Sequence, residues 1–523
     1  MKFDGAIGAQ YALRYSPLLI YRITPLPKLQ VAVIAAASLS EPVTVTFIYP
    51  FINEVGVFFF MSTSSRELAR LSGLLFACYA FTQFISTYFW GTLSDRVGRK
   101  PILLTCLLIC AISTVGFGAG NTFLEILIFR TLTGTSYGDV PAMADITDST
   151  NQARAFSFIP LCWAVGTAVS PLIGGFLSHP EKHFPGGFGN SAYFIHHPYA
   201  LPCFTVAGIS FILFLLVAFI LEETLGPQKR KATSITPSTA NVPSRSIPKY
   251  GSTDISRPQN GDVSPTTSDP SAESLRPESI SAPSPRLFAL QILGDPLVRD
   301  VLISYGLLAF TSNSNDIIFA LWMFLPIDDG GLGFSPSQIA AIISIGNIMG
   351  AFVITIIFPW VHRRFGTLPI YRFAMGLNVL LVMLYPVVHA LAVNTAVQFP
   401  RDPGEVPLSD GMWSNVSFPV LLGIGVMLTL KGISVLAWGG NIILVTAAAP
   451  SARSLGTVNS LAQMTASLAR SIAPPLYTNI FAISMGDGGN GLIWIFMPAM
   501  ALLSVLASFR AKEGQREWRR SVG

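Results

Sequence analysis

The sequence predicts an all-α membrane protein, with twelve transmembrane helices in two pseudo-symmetric six-helix bundles. Three observations predict it: composition, the spacing of apolar runs, and the alternation of charge between loops. The 523 residues are 51% hydrophobic and 12% charged, and the mean hydropathy is +0.55. Soluble domains carry about 25% charged residues. Half that fraction leaves too little polar surface to cover a water-soluble globule, so the bilayer is the natural solvent.

A hydrocarbon core of ~30 Å needs ~20 apolar residues per helix. Runs of that length fall at 29–52, 70–90, 101–119, 122–142, 156–177, 200–221, 300–325, 338–361, 368–392, 417–447, 455–482 and 491–509. Basic residues occupy every second connection: Arg96, Arg99 and Lys100; Arg154; Lys229, Arg230 and Lys231; Arg363 and Arg364; Arg453; and the stretch after Arg510. The other connections hold little beyond Arg66, Lys182 and Arg401. The positive-inside rule places the first set, and both ends of the chain, in the cytoplasm.

Residues 227–286 break the apolar pattern. They are dominated by Ser, Pro and Thr and nearly lack aromatic residues, so they cannot build a core. The organisation expected is a cytoplasmic tail (1–28), a first bundle (29–223), a disordered cytoplasmic linker (224–297), a second bundle (298–511) and a second tail (512–523). The halves echo each other weakly. WGTLSDRVGRKP after the second span faces PWVHRRFGTLP after the eighth, and Pro171 in the fifth faces Pro474 in the eleventh. Two related bundles around a central site suit a rocking transporter.

Several function classes are excluded. The net charge of +5 is spread over alternate loops, whereas nucleic-acid binding needs a clustered basic surface. No H-E-x-x-H, no G-x-x-x-x-G-K-[ST] and no His box is present, which argues against an enzyme, an ATP-driven pump and a metal site. The five cysteines lie in apolar runs and read as free thiols; Cys106 and Cys110 share a helical face as packing residues. Residues 1–28 lack a clean signal-peptide pattern, so the first span is expected to serve as an uncleaved anchor.

Ionisable residues inside the spans are functional candidates, because burying them in a bilayer is costly. The acids are Glu41, followed by Pro42, in the first span, Asp139 in the fourth and Asp316 in the seventh. A carboxylate in a low dielectric can load and release a proton near neutral pH. Each can also be a hydrogen-bonding tie between helices. Arg130 in the fourth span, Lys431 in the tenth and Arg470 in the eleventh are the matching cations. Tyr49, Trp163, Trp322 and Arg470 are candidates to line a substrate cavity.

Three motifs point to a family. Gly91-Thr92-Leu93-Ser94-Asp95-Arg96-Val97-Gly98-Arg99-Lys100 resembles the major facilitator signature between the second and third helices, G-x-L-[SA]-D-[RK]-x-G-R-[KR]. Glycines there permit a tight turn. Asp95 is expected against a helix N-terminus, and Arg96 and Arg99 against Asp145 and Asp148, as a conformational latch. Gly166-Thr167-Ala168-Val169-Ser170-Pro171-Leu172-Ile173-Gly174-Gly175 resembles the drug:proton antiporter motif G-x-x-x-G-P-x-x-G-G, with Ser170 in place of a glycine. Arg130 with Gly134 resembles the superfamily's R-x-x-x-G motif, which implies that Arg130 tunes a proton-binding acid.

Longer runs, such as ASLSEPVTVTFIYPFI and LGTVNSLAQMTASLARSIAPPL, are similar to a fungal and plant branch related to tetracycline-type and zinc-induced-facilitator-like transporters. The chain departs from that branch after Gly134, where about one helical turn is missing before Pro141. The resemblance implies secondary active transport of a small organic solute, proton-coupled efflux, with the proton gradient as energy source and no cofactor. It implies a monomer in the bilayer of the plasma membrane or vacuole. A nutrient uniporter or symporter is the alternative, and a non-transporting receptor a third.

Overall fold

The computed structural model describes residues 26–60, 64–136, 158–189, 191–223, 291–395, 413, 416–451, 454–484 and 491–514. Helix accounts for nearly all of them. Asp139, Asp145, Asp148, the side chain of Asp95 and linker residues 224–290 lie outside the described residues; 291–297, expected in the linker, are described, and Pro296 and Leu297 begin the seventh span.

The first span departs from the single helix expected. It is three pieces: α1 (Lys28–Ala37), α2 (Ser40–Thr46) and α3 (Ile52–Phe60). The cause is proline. Its ring clashes with the carbonyl four residues earlier and it donates no N–H. Pro42 breaks the helix at Ser38–Leu39, and Pro50 breaks it just after Thr46. Glu41 therefore sits on a short helix between two interruptions.

The second span, α4 (Ser65–Val97), is longer than the expected 70–90. Ser64 caps its start by accepting from the Glu67 N–H, and Gly98, at φ 122°, ends it. Gly91 and Arg96 thus lie within the helix, and Gly98 alone supplies the turn that the signature's glycines were expected to share. There follow α5 (Arg99–Gly118), α6 (Phe123–Thr135) and α7 (Phe158–Leu177). Three short helices, α8 (Pro180–His183), α9 (Pro185–Phe188) and α10 (Ala192–His196), cross the outer face before α11 (Ala200–Ile220).

In the second half, α12 (Pro296–Phe324) forms the seventh span. The eighth runs from α13 (Pro336–Phe352) through a π-helical turn (Val353–Ile357) into α14 (Phe358–Phe365), where Pro359 disturbs the ladder. The ninth is α15 (Thr367–Asn394). The tenth, expected unbroken, divides at Val435 into α16 (Phe418–Ser434) and α17 (Leu436–Ala448). The eleventh and twelfth are α18 (Leu455–Ser484) and α19 (Leu492–Arg510).

By length and composition, eight stretches among the described residues can cross a membrane: Lys28–Thr46, Ser65–Ser94, Arg99–Gly118, Ala200–Ile220, Pro336–Phe365, Thr367–Asn394, Phe418–Ala448 and Leu492–Arg510. The seventh and eleventh are long enough but more polar. Their sequences carry Thr311-Ser312-Asn313-Ser314-Asn315-Asp316 and Gln463, Thr465, Ser467 and Arg470. Helices that line a polar interior need not be apolar all round.

The spans meet through small residues. Gly166 packs on Pro42, where an added Cβ would come within 2.7 Å of the ring. Gly174 abuts the Phe47 carbonyl, and the Ser170 hydroxyl bonds to that of Thr46. The antiporter-type motif is thus the face on which α7 receives the broken first span. One position on, Gly175 abuts Ala340 and Pro336 across the two halves. The Asn347 amide donates to the Thr167 carbonyl at 2.7 Å nearby, and Gly73 of α4 abuts Thr478 of α18.

The apolar core is shared unequally. On the outer side one cluster joins both halves, from Phe47, Ile48 and Phe51 through Ile317–Leu325 to Tyr385 and Phe481. On the cytoplasmic side the bundles have separate cores. Val31–Ala37 pack with Leu213 and Val217, while Val298–Ala309 pack with Tyr371, Leu436 and Val458. The halves share a core at the end that carries α8–α10 and have separate cores at the end that carries Arg96, Arg99 and Lys100, the end the charge pattern assigns to the cytoplasm.

Gly174→Leu forces a side chain into the Phe47 carbonyl. It should destabilise the purified protein by about 1–3 kcal/mol, read as a lowered melting temperature, whereas Gly208→Leu, at a position with open space, should not.

Candidate functional site

Five ionisable side chains among the described residues lie in the middle of the spans: Glu41, Arg130, Asp316, Lys431 and Arg470. The structure brings them around one region between the bundles. The break in the first span presents Glu41, whose carboxylate accepts from the Gln83 amide of α4 at 2.6 Å. Gln83 is itself buried. Arg130 of α6 is buried; its Nη1 donates to the Thr44 carbonyl at 3.2 Å, and its guanidinium lies 4.2 Å from the Tyr79 ring centre. The proline-broken helix thus supplies both an acid and a backbone acceptor for the buried arginine. Behind it, Cys110 joins Ser40, Thr44 and Ser210 in a polar cluster.

In the second half, Asp316 of α12 pairs with Lys431 of α16 at 2.7 Å. The Lys431 ammonium lies 5.5 Å from the Phe319 ring centre. The aspartate side chain is 35% exposed and the lysine 16%, so the pair is only partly shielded. Asn315 accepts from the Tyr385 hydroxyl at 2.8 Å, fixing α12 against α15. Arg470 lies midway along α18; its Nη2 donates to Ser467 at 3.1 Å and its Nε is buried with no partner.

Tyr49 stands between the halves. It is buried, and it lies within electrostatic reach of Arg130 on one side and of Asp316 and Arg470 on the other. Tyr79 likewise lies within reach of Glu41, Arg130 and Arg470. The other aromatic candidates separate. Trp163 is 38% exposed, one turn from Gly166 and Thr167 toward the end with separate cores. Trp322 is fully buried and packs on Tyr385, with ring centres 4.9 Å apart, so it is core and offers no open wall.

At the cytoplasmic end, Arg99 of the signature motif is buried and its guanidinium donates to Ser94. Arg96 is exposed. The partner seen at the N-terminus of α5 is Glu223, beyond the end of α11: its carboxylate accepts from the Arg99 N–H at 2.9 Å and fills the space beside Gly98. A carboxylate there meets both free N–H groups and the positive end of the helix dipole. The expected pairing with Asp145 and Asp148 falls outside the described residues.

Sequence reasoning missed Gln83 and Glu223. It also missed a cluster on the outer face, where His179 lies 3.1 Å from Glu54 and 2.9 Å from Glu181 and stacks edge-on to Tyr199. His179 takes φ 51°, which puts its ring under the first span. Burial disfavours the charged imidazole, but the hydrogen bonds and charges of Glu181 and Glu54 outweigh it and push His179 up to about 9. Glu181 is held below the usual carboxylate range, because His179 and a backbone hydrogen bond outweigh its burial.

A raised histidine value stabilises the fold fully below its ordinary 6.5 and ceases to do so past about 9. A lowered glutamate value stabilises it above its ordinary 4.5 and is lost as pH falls. His179→Asn, which tolerates the same backbone, should therefore lower the melting temperature at pH 6–7, and the deficit should shrink to nothing as pH passes about 9.

The pattern of the Major Facilitator Superfamily matches residues 43–474. The major facilitator-type transporter psiT2 of Psilocybe cyanescens is 30% identical over 91% of this chain and 88% of its own length. The multidrug transporter mfsB of Aspergillus fumigatus is 26% identical over 94% and 84%, and Protein ZINC INDUCED FACILITATOR 1 of Arabidopsis thaliana 26% over 70% and 71%. Among solved structures, a D-xylose-proton symporter superposes with a TM-score of 0.61 at 13% identity, over 94% of this chain and 99% of that one. Fold, motifs and relatives agree, and the chain belongs to the Major Facilitator Superfamily of membrane transporters.

Proposed function

We propose that the chain exports a small organic solute in exchange for protons, by alternating access. The observation that carries this reading is the pair of acids, Glu41 and Asp316, set mid-span on opposite halves. Each is held by a group that changes its worth with protonation. Gln83 donates to the Glu41 carboxylate, and Lys431 ion-pairs with Asp316. Protonating Asp316 removes its attraction for Lys431 and frees the ammonium; deprotonating it restores the pair.

In the inward-open state both acids are ionised and a solute enters from the cytoplasm. Rocking closes the parted inner ends and opens the joined outer ones. On the outer side the solute leaves down its own gradient as the site changes shape, and proton uptake by Glu41 and Asp316 breaks the ion pair. The protonated carrier returns inward, and the protons leave to the cytoplasm. The antiporter-type face of α7 keeps the first span, and with it Glu41, in register throughout. The names of the relatives, multidrug transporter among them, support the outward direction. The same reading takes the chain as a monomer in the plasma or vacuolar membrane, with no cofactor beyond the proton gradient.

In proteoliposomes with an imposed pH gradient, a panel of organic solutes should include some that drive proton counter-flow through the wild type. Glu41→Gln and Asp316→Asn should abolish that counter-flow while retaining solute binding. Solute flux that ignores the gradient and is equal in all three proteins would sink the exchange mechanism and leave facilitated diffusion.

A further inference from the structure

We infer that Arg470 is the seat for an oxyanion, and that the transported solute carries a carboxylate or phosphate group that docks there. This rests on the transport reading above and names its substrate class.

Among the described residues the cations of the midplane outnumber the acids: three cations (Arg130, Lys431, Arg470) stand against two carboxylates (Glu41, Asp316). Lys431 is satisfied by Asp316 at 2.7 Å. Arg130 turns to the first half, with Nη1 on the Thr44 carbonyl and its guanidinium over the Tyr79 ring. Arg470 has no carboxylate within ion-pair distance among the described residues. Its one hydrogen bond goes to Ser467, a neutral hydroxyl on its own helix, and its Nε is buried and unbonded. An arginine held mid-membrane without an anion is costly. Its planar fork of donors fits carboxylate and phosphate bidentately.

The position suits a solute. Arg470 is half-buried on α18, which packs along α4 of the other half, and it lies within electrostatic reach of Tyr49 and Tyr79. An anion on Arg470 therefore sits between the halves, beside the Asp316–Lys431 pair. A singly charged anion brings the described midplane groups to neutrality when both acids are ionised. Proton uptake on both acids leaves three cations and no ionised acid among the described midplane residues, so the anion's release must be driven by its gradient and by the change of shape. An acidic lipid headgroup offers the same oxyanion chemistry; the geometry between the bundles favours the dissolved solute, which reaches the site from the cytoplasmic side.

The test uses the full purified chain in a zwitterionic detergent, with phenyl phosphate and benzoate as probes and benzamide as the neutral control. Both anions should raise the melting temperature of the wild type and benzamide should not. Arg470→Gln should weaken the apparent affinity about tenfold or more, and Arg470→Lys, which keeps the charge but loses the fork, should fall between. Equal shifts in wild type and Arg470→Gln, or no shift with either anion, would overturn the proposal. If Arg470→Gln fails to fold, an unaltered affinity in Arg470→Lys overturns it just as well. Stabilisation by short-chain phosphatidylglycerol, but by neither small anion, would move the seat to a lipid and overturn the solute assignment. The transport reading is separable. Anion binding without proton counter-flow removes exchange and leaves the seat; counter-flow driven by a cation, and indifferent to Arg470→Gln, removes the seat and leaves exchange.

Discussion

An ionised side chain in the middle of a bilayer must find its counter-charge inside the protein, and that constraint orders this molecule. The seventh, tenth and eleventh spans carry charge mid-length, so they turn those residues toward the space between the bundles. The fourth span buries Arg130 wholly, and the first must then yield a carbonyl to it. The break after Thr46, before Pro50, makes that possible: among the described residues no backbone N–H takes the Thr44 carbonyl there, and the short helix between the two breaks sets Glu41 beside α4. The small residues of α7 follow from the same need. A first span carrying an acid and a polar turn can be held close only by a partner without bulk, which Gly166, Ser170 and Gly174 provide.

Much of the fold is legible in the sequence because membrane spans announce themselves by apolar length and loops by charge. The motif residues are legible as well, since glycine at Gly98 and small residues along α7 have local, steric meanings. The breaks in the first and tenth spans were harder to read. Apolar length counts Pro42 and Pro50 as ordinary members of a run, although each removes a hydrogen bond. At Val435 no proline marks the division, and Gly432 and Ser434 before it are common enough in membrane helices to pass unnoticed.

The candidate site is half legible. Charged residues inside apolar runs stand out, so Glu41, Asp316, Arg130, Lys431 and Arg470 can be named without a structure. Which of them pair cannot, because helix order around a bundle is not written in any one span. Gln83 is invisible for a different reason: a neutral amide in a helix has many bland fates. Glu223 hides at the end of a span where acidic residues are commonplace, and Glu54 and His179 become neighbours only when the fifth span returns to the outer end of the first.

The two ends of the molecule close by different physics. The outer closure is apolar, a shared core with a hydrogen bond from Ser65 to Asp329 at its edge. The cytoplasmic end is ringed by Arg96, Arg99, Lys100, Arg363 and Arg364. Hydrophobic contact weakens on cooling and is strengthened by excluded salts such as sulfate, whereas exposed charge contacts are screened by any electrolyte. Cooling therefore loosens and excluded salts tighten the apolar closure that must come apart before the other face can open, so the medium biases the carrier before any solute arrives.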